Sequence, residues 1–128
     1  DDQGESWKVR NEGLTSRYTR GIAVHPEQPQ TILISGSPTS PGGWRTHGKR
    51  FSLFRTTDDG AHWEKVTDGF PDSSDSEIDT HGIAFSHEAA DEVLCGLRSG
   101  ELYASDNAGA SWSLVSDDLQ SIHGLCAV

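Results

Sequence analysis

From Gly21 the chain reads GIAVHPEQPQTILIS, and from Gly82 it reads GIAFSHEAADEVLCG. Each stretch is an apolar run, a polar turn and a second apolar run, and near-continuous apolar runs of this length predict strands covered on both faces. After each pair the pattern changes. FSLFRT and HWEKVT follow the first, ELYAS and SWSLVS the second, and here apolar and polar residues alternate as they do in half-exposed strands. The pattern therefore predicts two units of four antiparallel strands: GIAVH, TILISG, FSLFRT and HWEKVT, then GIAFS, EVLCGL, ELYAS and SWSLVS. Only SHEAADEV, residues 86–93, has a helical look, and its alignment with the polar stretch HPEQPQ makes it a turn. Fourteen Gly, five Pro and many Ser, Thr and Asp supply the turns that so many short strands require.

The turn before the last strand of each unit repeats almost letter for letter. TTDDGAHW (56–63) returns as SDNAGASW (105–112), and DDQGESW opens the chain as a third, shortened copy. The copies align on Trp7, Trp63 and Trp112, which lie 56 and 49 residues apart. Four antiparallel strands in about 50 residues is the size of one β-propeller blade. The expected fold class is all-β, with two complete blades at 17–68 and 69–118. Residues 1–16 form the outer strand of a preceding blade and 119–128 the inner strand of a following one. An ordinary β-sandwich is the alternative. A first and a fourth strand cannot pair without the two between them, so this phasing predicts a need for further blades or for self-association.

The repeated turns resemble the Asp-box, or BNR repeat, with the pattern Ser/Thr-x-Asp-x-Gly-x-Ser/Thr-Trp. The first full copy keeps Thr56, Asp58, Gly60 and Trp63, with His62 where Ser or Thr is usual. The second keeps Ser105, Gly109, Ser111 and Trp112, with Asn107 for the Asp, and the opening copy keeps Asp2, Gly4, Ser6 and Trp7. Asp and Asn accept hydrogen bonds from backbone N–H groups two residues on, Gly provides the positive φ, and the Trp folds back over the blade. The resemblance implies a structural role for the box, away from any active centre. This holds across sialidases, xyloglucan-degrading hydrolases, sortilin-type receptors and a photosystem assembly factor. The whole chain also resembles, in its general look, bacterial glycosyl hydrolase-like BNR/YVTN repeat proteins. It lacks the Arg-Ile-Pro motif of sialidases, and where many repeats have Asp-Pro after the first strand it has His25-Pro26. No catalytic residue is assigned.

Charge narrows the function further. Twenty acidic residues against ten Lys and Arg give a net charge of −10. That disfavours nucleic acid and anionic membrane surfaces as partners. No run of apolar residues is long enough to span a bilayer as a helix, and the compartment stays open. Cys95 and Cys126 each sit in an apolar run and are expected to be buried thiols, with a disulfide between them as the alternative. The six His show neither HxH nor HxxxH spacing, and DSSDSEID (72–79) lacks the ordered spacing of a calcium loop, so no metal and no cofactor are expected.

The longer, irregular loops fall on one side of the predicted blades: 37–49, its short counterpart 98–100, 67–81 and 116–123. Loops on one end of a rigid scaffold are where binding concentrates. Arg20, His81 and His123 each directly precede a Gly that opens an inner strand, so they are expected to ring the channel mouth as an arc of nitrogen donors. Trp44, Arg45 and Tyr18 are the candidate stacking and gating partners. The alternative is that the arc pairs with Asp79, Glu77 or Asp118 and only orders the loops. The expected function is non-catalytic binding of a glycan or protein ligand through this face. The alternatives are part of a glycan-active hydrolase completed by other blades, and a lectin-like subunit that closes a ring by oligomerisation.

Overall fold

A computed structural model describes residues 3–128; Asp2 of the opening turn lies outside them. The eight predicted strands form two four-stranded antiparallel sheets. The first runs in the order β1 (Tyr18–Val24), β2 (Ile32–Ser37), β3 (Ser52–Thr56), β4 (Glu64–Lys65). The second repeats it with β5 (Ile83–Phe85), β6 (Val93–Gly96), β7 (Leu102–Ser105) and β8 (Ser113–Ser116). SHEAADE (86–92) is a turn between β5 and β6, as its alignment required, and Val93 opens β6. The loop between β2 and β3 holds two short elements that periodicity did not predict, a 3₁₀ turn at Pro41–Gly43 and the single helical turn α1 (Trp44–His47). Residues 1–16 are expected to hold the outer strand of a preceding blade; among the described residues of that stretch, 3–16, none is in a strand. The closing GLCAV segment makes one parallel bridge, Gly124 to His81, at the start of β5.

The core lies between the sheets. Leu33 and Leu53 of the first are fully buried, with Val93 and Cys95 of the second, and Phe51, Phe70, Ile78, Ile83 and Phe85 fill the space around them. Burying each such side chain contributes about 1.5–3 kcal/mol. Strand alternation sets the faces: Val93 and Cys95 are buried in this core, whereas the intervening Leu94 is only half-buried. Cys95 meets its expectation. Cys126 does not: it is exposed, both thiols are free, and the segment that carries it is paired at only one residue.

The repeated turns are near-identical in three dimensions. Thr56 Oγ1 accepts from the N–H of Asp58 (3.3 Å) and Gly60 (3.0 Å) and donates to Asp58 Oδ1 (2.8 Å). Ser105 does the same with Asn107 and Gly109 at 3.3, 3.0 and 2.9 Å. The acidic or amide oxygen reaches further than expected. Asp58 and Asn107 accept from the N–H four residues on, at His62 and Ser111, both at 2.9 Å, while the hydroxyl closes the shorter span. His62 replaces the usual hydroxyl without loss, because its Nδ1 meets Asp58 Oδ2 at 2.7 Å. The burial of the three Trp is unequal: Trp112 is buried, Trp63 half-buried and Trp7 89% exposed.

A backbone link joins each turn to the segment before its unit. Trp63 N–H donates to Glu12 O (2.8 Å) and Trp112 N–H to Asp68 O (2.9 Å). The following residues, Gly13 and Gly69, have φ of +81° and +70°, and a Cβ there would lie 2.1 and 1.7 Å from the Trp63 and Trp112 carbonyl oxygens. No residue with a side chain fits that position. His25 and Ser86 occupy equivalent sites and cap the turn after the inner strand. His25 Nδ1 accepts from Glu27 and Gln28 N–H at 3.2 and 3.0 Å, Ser86 Oγ from Glu88 and Ala89 N–H at 3.2 and 3.1 Å. Both His25 ring nitrogens are engaged, since Nε2 lies 3.0 Å from Asp91 Oδ1 of the second unit.

Candidate functional site

The loop-rich side gathers six charged or titratable groups at the junction of the two sheets. The register of β1 on β2 shifts between Thr19 and Ile22, and in the irregularity Gly21 N–H turns to Ser35 Oγ (2.8 Å). Such a bulge re-aims its side chains, and Arg20 leaves the ladder toward the loop before β5. That loop carries Glu77-Ile78-Asp79 just before β5. Ile78 anchors it in the core with 1% exposure, and its carbonyl accepts from Ser35 Oγ at 3.4 Å. Glu77 and Asp79, two residues apart, are thereby drawn in beside Arg20.

Two buried carboxylates are then surrounded by cations. Arg20 reaches both, contacting Glu77 through Nη1 and Asp79 Oδ1 through Nη2 at 2.8 Å. Lys49 Nζ lies 2.7 Å from Glu77 Oε1. Arg98 donates from Nε to Asp79 Oδ2 (2.8 Å), with Nη1 3.4 Å from Glu77, and its backbone N–H bonds Glu77 O at 2.9 Å. His123 Nδ1 lies 3.2 Å from Asp79 Oδ2, so an ionised Asp79 places the ring proton on Nδ1. The carboxylate side chains are 6% and 11% exposed, whereas Arg20, Lys49 and Arg98 are 22%, 37% and 37%. The cluster thus presents its cationic side to solvent, three cations over two carboxylates in a chain of net charge −10.

Burial raises the Glu77 carboxyl, but the Lys49 hydrogen bond and the charges of Lys49, Arg98 and Arg20 outweigh it and hold the pKa below the ordinary value. Burial also acts on Asp79, where hydrogen bonds from Arg98 and His123 and the charges of Arg20 and Arg98 bring it down. The hydrogen bond to Asp79 raises the Arg98 guanidinium in return. Among the described residues no buried side-chain polar atom lacks a partner.

Beside the cluster stands an aromatic ladder. Trp44 on α1 meets Tyr18 and Phe51 edge-on, each at 5.6 Å between ring centroids, and its Nε1–H donates to Thr39 O at 2.9 Å. Lys49 Nζ lies 5.7 Å from the centre of the Trp44 ring, which ties the ladder to Glu77.

The candidate residues divide accordingly. Arg20 and His123 converge on Asp79, and Tyr18 and Trp44 pack together. His81 is exposed and takes part through its backbone, accepting Leu125 N–H at 2.8 Å, while Arg45 is exposed on α1. Of the three acids weighed as partners of the arc, Glu77 contacts Arg20 and Asp79 contacts Arg20 and His123, whereas Asp118 accepts from Ser116 Oγ at 2.7 Å. Lys49 and Arg98 were not singled out from the sequence. Their one sequence mark is that they sit in the two aligned loops after β2 and β6. Among the described residues no group of three or more His, Cys, Asp or Glu gathers as a metal site.

No protein-family model matches the chain, and no curated protein does. Solved structures do. The GH74 xyloglucanase from Xanthomonas campestris superposes with a TM-score of 0.65 at 18% identity, over 88% of this chain and 16% of that one. An ancestral GH74 enzyme gives 0.63 at 21% identity over 94% and 15%. YCF48 from Cyanidioschyzon merolae gives 0.58 at 18% over 87% and 27%. The fold is that of a partial β-propeller. The two sheets are its blades, and the chain spans about a quarter or less of the length of these neighbours. Identities this low carry the fold and nothing of the activity.

Proposed function

We propose that this chain is a non-catalytic recognition segment of an Asp-box propeller, which binds an anionic glycan or protein ligand through its loop-rich face. The observation that carries the proposal is the cationic rim of Arg20, Lys49 and Arg98 over two buried carboxylates, with the Trp44–Tyr18 pair alongside. Long-range attraction for anions is weak in a chain of net charge −10, so recognition depends on contacts made within a Debye length, about 8 Å at physiological salt. Trp44 and Tyr18 offer the amphipathic surface on which a sugar ring or a planar side chain rests.

A glycan-active hydrolase is the second reading, favoured by the GH74 neighbours at the level of fold. Glycoside hydrolysis needs a carboxyl raised in pKa to act as general acid. Glu77 and Asp79 are instead held ionised in ion pairs. That chemistry supports binding over catalysis at this cluster.

Titrating the ¹⁵N-labelled chain with oligogalacturonate and with neutral xyloglucan oligosaccharides tests the proposal. Shifts at the Trp44 indole and the Arg98 and His123 signals with the acidic probe alone, weakened by salt and lost in Trp44→Ala, are expected. Reducing-end release from either probe, or the absence of binding by both, would overturn it.

A further inference from the structure

Among the described residues, those other than glycine with left-handed backbone are Gln3, Arg50, Asp59 and Ala108, at φ of 57°, 51°, 60° and 55°. Gln3, Asp59 and Ala108 share one position, the residue before the glycine in each copy of the repeated turn. Arg50 belongs to no such turn. A side chain in that backbone region costs free energy that glycine does not incur, and such residues gather where the side chain has a task. The peptides around Arg50 are fixed: Ser37 Oγ donates to Lys49 O, and Phe51 N–H donates to Ser74 O at 2.7 Å. Between them the chain sends two adjacent cations to different places. Lys49 goes to Glu77 in the charged cluster, whereas Arg50 lines a separate pocket of about 160 Å³.

Gly36 and Ser52 are the buried part of that lining, and Arg50, Lys65, Thr15 and Ser73 are its exposed part. Hydrogen-bond donors prevail there. Among the described residues the Arg50 guanidinium and the Thr15 and Ser73 hydroxyls have no partner. Lys65 uses one of its three donors, on Asp72 Oδ1 at 3.2 Å. Asp72 is the one acid in the lining, and its side chain is 75% exposed.

The second blade shows what makes the pocket. Ladder positions equate Gly36, Ser52 and Lys65 with Leu97, Glu101 and Leu114. Leu97 is a buried side chain where the first blade has none, and a carboxylate and an alkyl group stand in for a hydroxyl and an ammonium. The first blade flanks the second, yet Leu114 is 50% exposed. A neighbouring blade therefore leaves this level of the outer strands open. The pocket arises from the residues of the first blade itself.

We propose that this pocket binds a tetrahedral oxyanion, a phosphate or sulfate group, between the Arg50 guanidinium and the Lys65 ammonium. The planar fork of Arg50 gives paired donors to two oxygens, and Lys65 with the Thr15 and Ser73 hydroxyls serves the others. The size agrees, since about 160 Å³ is below the roughly 300–1,000 Å³ of pockets that enclose a whole small molecule. One compact charged group fits. Asp72 competes with the anion for Lys65, so it keeps the affinity low and binding reversible. The pocket shares no residue with the charged cluster and does not involve Trp44. It is a site in addition to the rim proposed above, and neither depends on the other.

The test is titration of the ¹⁵N-labelled chain with sodium phosphate, sodium sulfate, glycerol phosphate and glycerol, the ionic strength held constant with sodium chloride. Saturable shifts at the Thr15, Arg50, Lys65 and Ser73 amides are expected with the two inorganic ions and with glycerol phosphate, and none with glycerol. Tighter binding of glycerol phosphate than of inorganic phosphate marks an esterified group as the occupant, and the reverse order marks the free ion; both outcomes support the site. Arg50→Gly should lose about tenfold or more in affinity and melt no lower than the native chain, because glycine takes a φ of 51° without strain. Asp72→Asn should bind the anions more tightly. The proposal is overturned by the lack of saturable shifts, or by shifts confined to Lys49, Arg98 and His123. It is equally overturned if Arg50→Gly binds as the native chain does or melts lower, or if Asp72→Asn binds more weakly.

Discussion

Replacing Glu77 by Gln keeps the shape of the side chain and removes its charge, so it isolates what the ion pairs contribute. Glu77 accepts from Lys49 at 2.7 Å, contacts Arg20, and has Arg98 at 3.4 Å, with its side chain 6% exposed. Hydrogen bonds to charged groups contribute about 1.5–3 kcal/mol each, and stripping one partner from a buried pair costs about 3–5 kcal/mol. Two features reduce that figure. The cations are 22–37% exposed and keep part of their hydration, and the Gln carbonyl still accepts one bond. The expected loss at neutral pH is about 2 kcal/mol, read from urea unfolding, and it shrinks in high salt. The pH dependence has a definite sign. Both carboxyls sit below their ordinary values when folded, so the unfolded chain binds more protons through the acid range. Their stabilisation is complete above about pH 5 and is lost as pH falls through the folded-state values. The difference between Glu77→Gln and the native chain should therefore narrow toward acid. A difference below about 0.5 kcal/mol, the usual range of a surface change, or one indifferent to pH and salt, would refute the reasoning.

Gly69→Ala puts a Cβ 1.7 Å from the Trp112 carbonyl at a φ of +70°, whereas Gly42 has nothing within 4 Å. The first substitution should cost more than about 2 kcal/mol in urea unfolding and the second less than about 0.5. His62 should act in the opposite sense to Glu77. Its hydrogen bond to Asp58 and the nearby Glu12 raise its pKa, so the stability it confers is present in acid and is lost as pH rises through the raised value. Thermal unfolding of His62→Ser across neutral pH should lack that slope. The two thiols should also separate, since burial pushes Cys95 well above the ordinary thiol range while Cys126 is exposed. A thiol reagent should consume one equivalent from the folded chain and a second only in denaturant.

The blade order was legible because it rests on local rules that repeat. Two apolar runs, two alternating runs and a turn with Asp or Asn two residues before Gly occur twice in the same order, and all eight strands followed. The candidate site was legible only in part, for a reason that lies in the same repeat. Alignment places Arg20, His81 and His123 in equivalent positions, yet the structure treats them differently because the loops above them are not repeated. Asp79 lies within reach of Arg20 and His123, while His81 is engaged through its backbone by Leu125. Lys49 and Arg98 carry no local mark, since what recruits them is Glu77, 28 residues from Lys49 along the chain. Cys126 misled for a related reason: an apolar run is buried only if strands lie on both sides of it.

The charged cluster belongs to neither blade alone. Arg20 and Lys49 come from the first blade's strand β1 and the loop before β3, and Arg98 from the loop after β6 in the second. Glu77 and Asp79 come from the segment between the sheets, and His123 from beyond β8. In a repeat architecture, stability is carried by nearest-neighbour interfaces, and here one of those interfaces is built from the groups that form the candidate binding rim. An anion that drew Lys49 or Arg98 away from Glu77 and Asp79 would loosen the blade junction. One that accepted from their outward N–H groups, leaving the inner pairs intact, would tighten it. Tight binding therefore requires the second geometry, in which the buried carboxylates act as fixed anchors that hold three flexible cations in place before the ligand arrives. Pre-ordering of this kind lowers the entropic cost of binding by about 0.5–1.5 kcal/mol for each side chain already immobilised, which explains how a rim can be cationic and rigid in a chain so acidic overall.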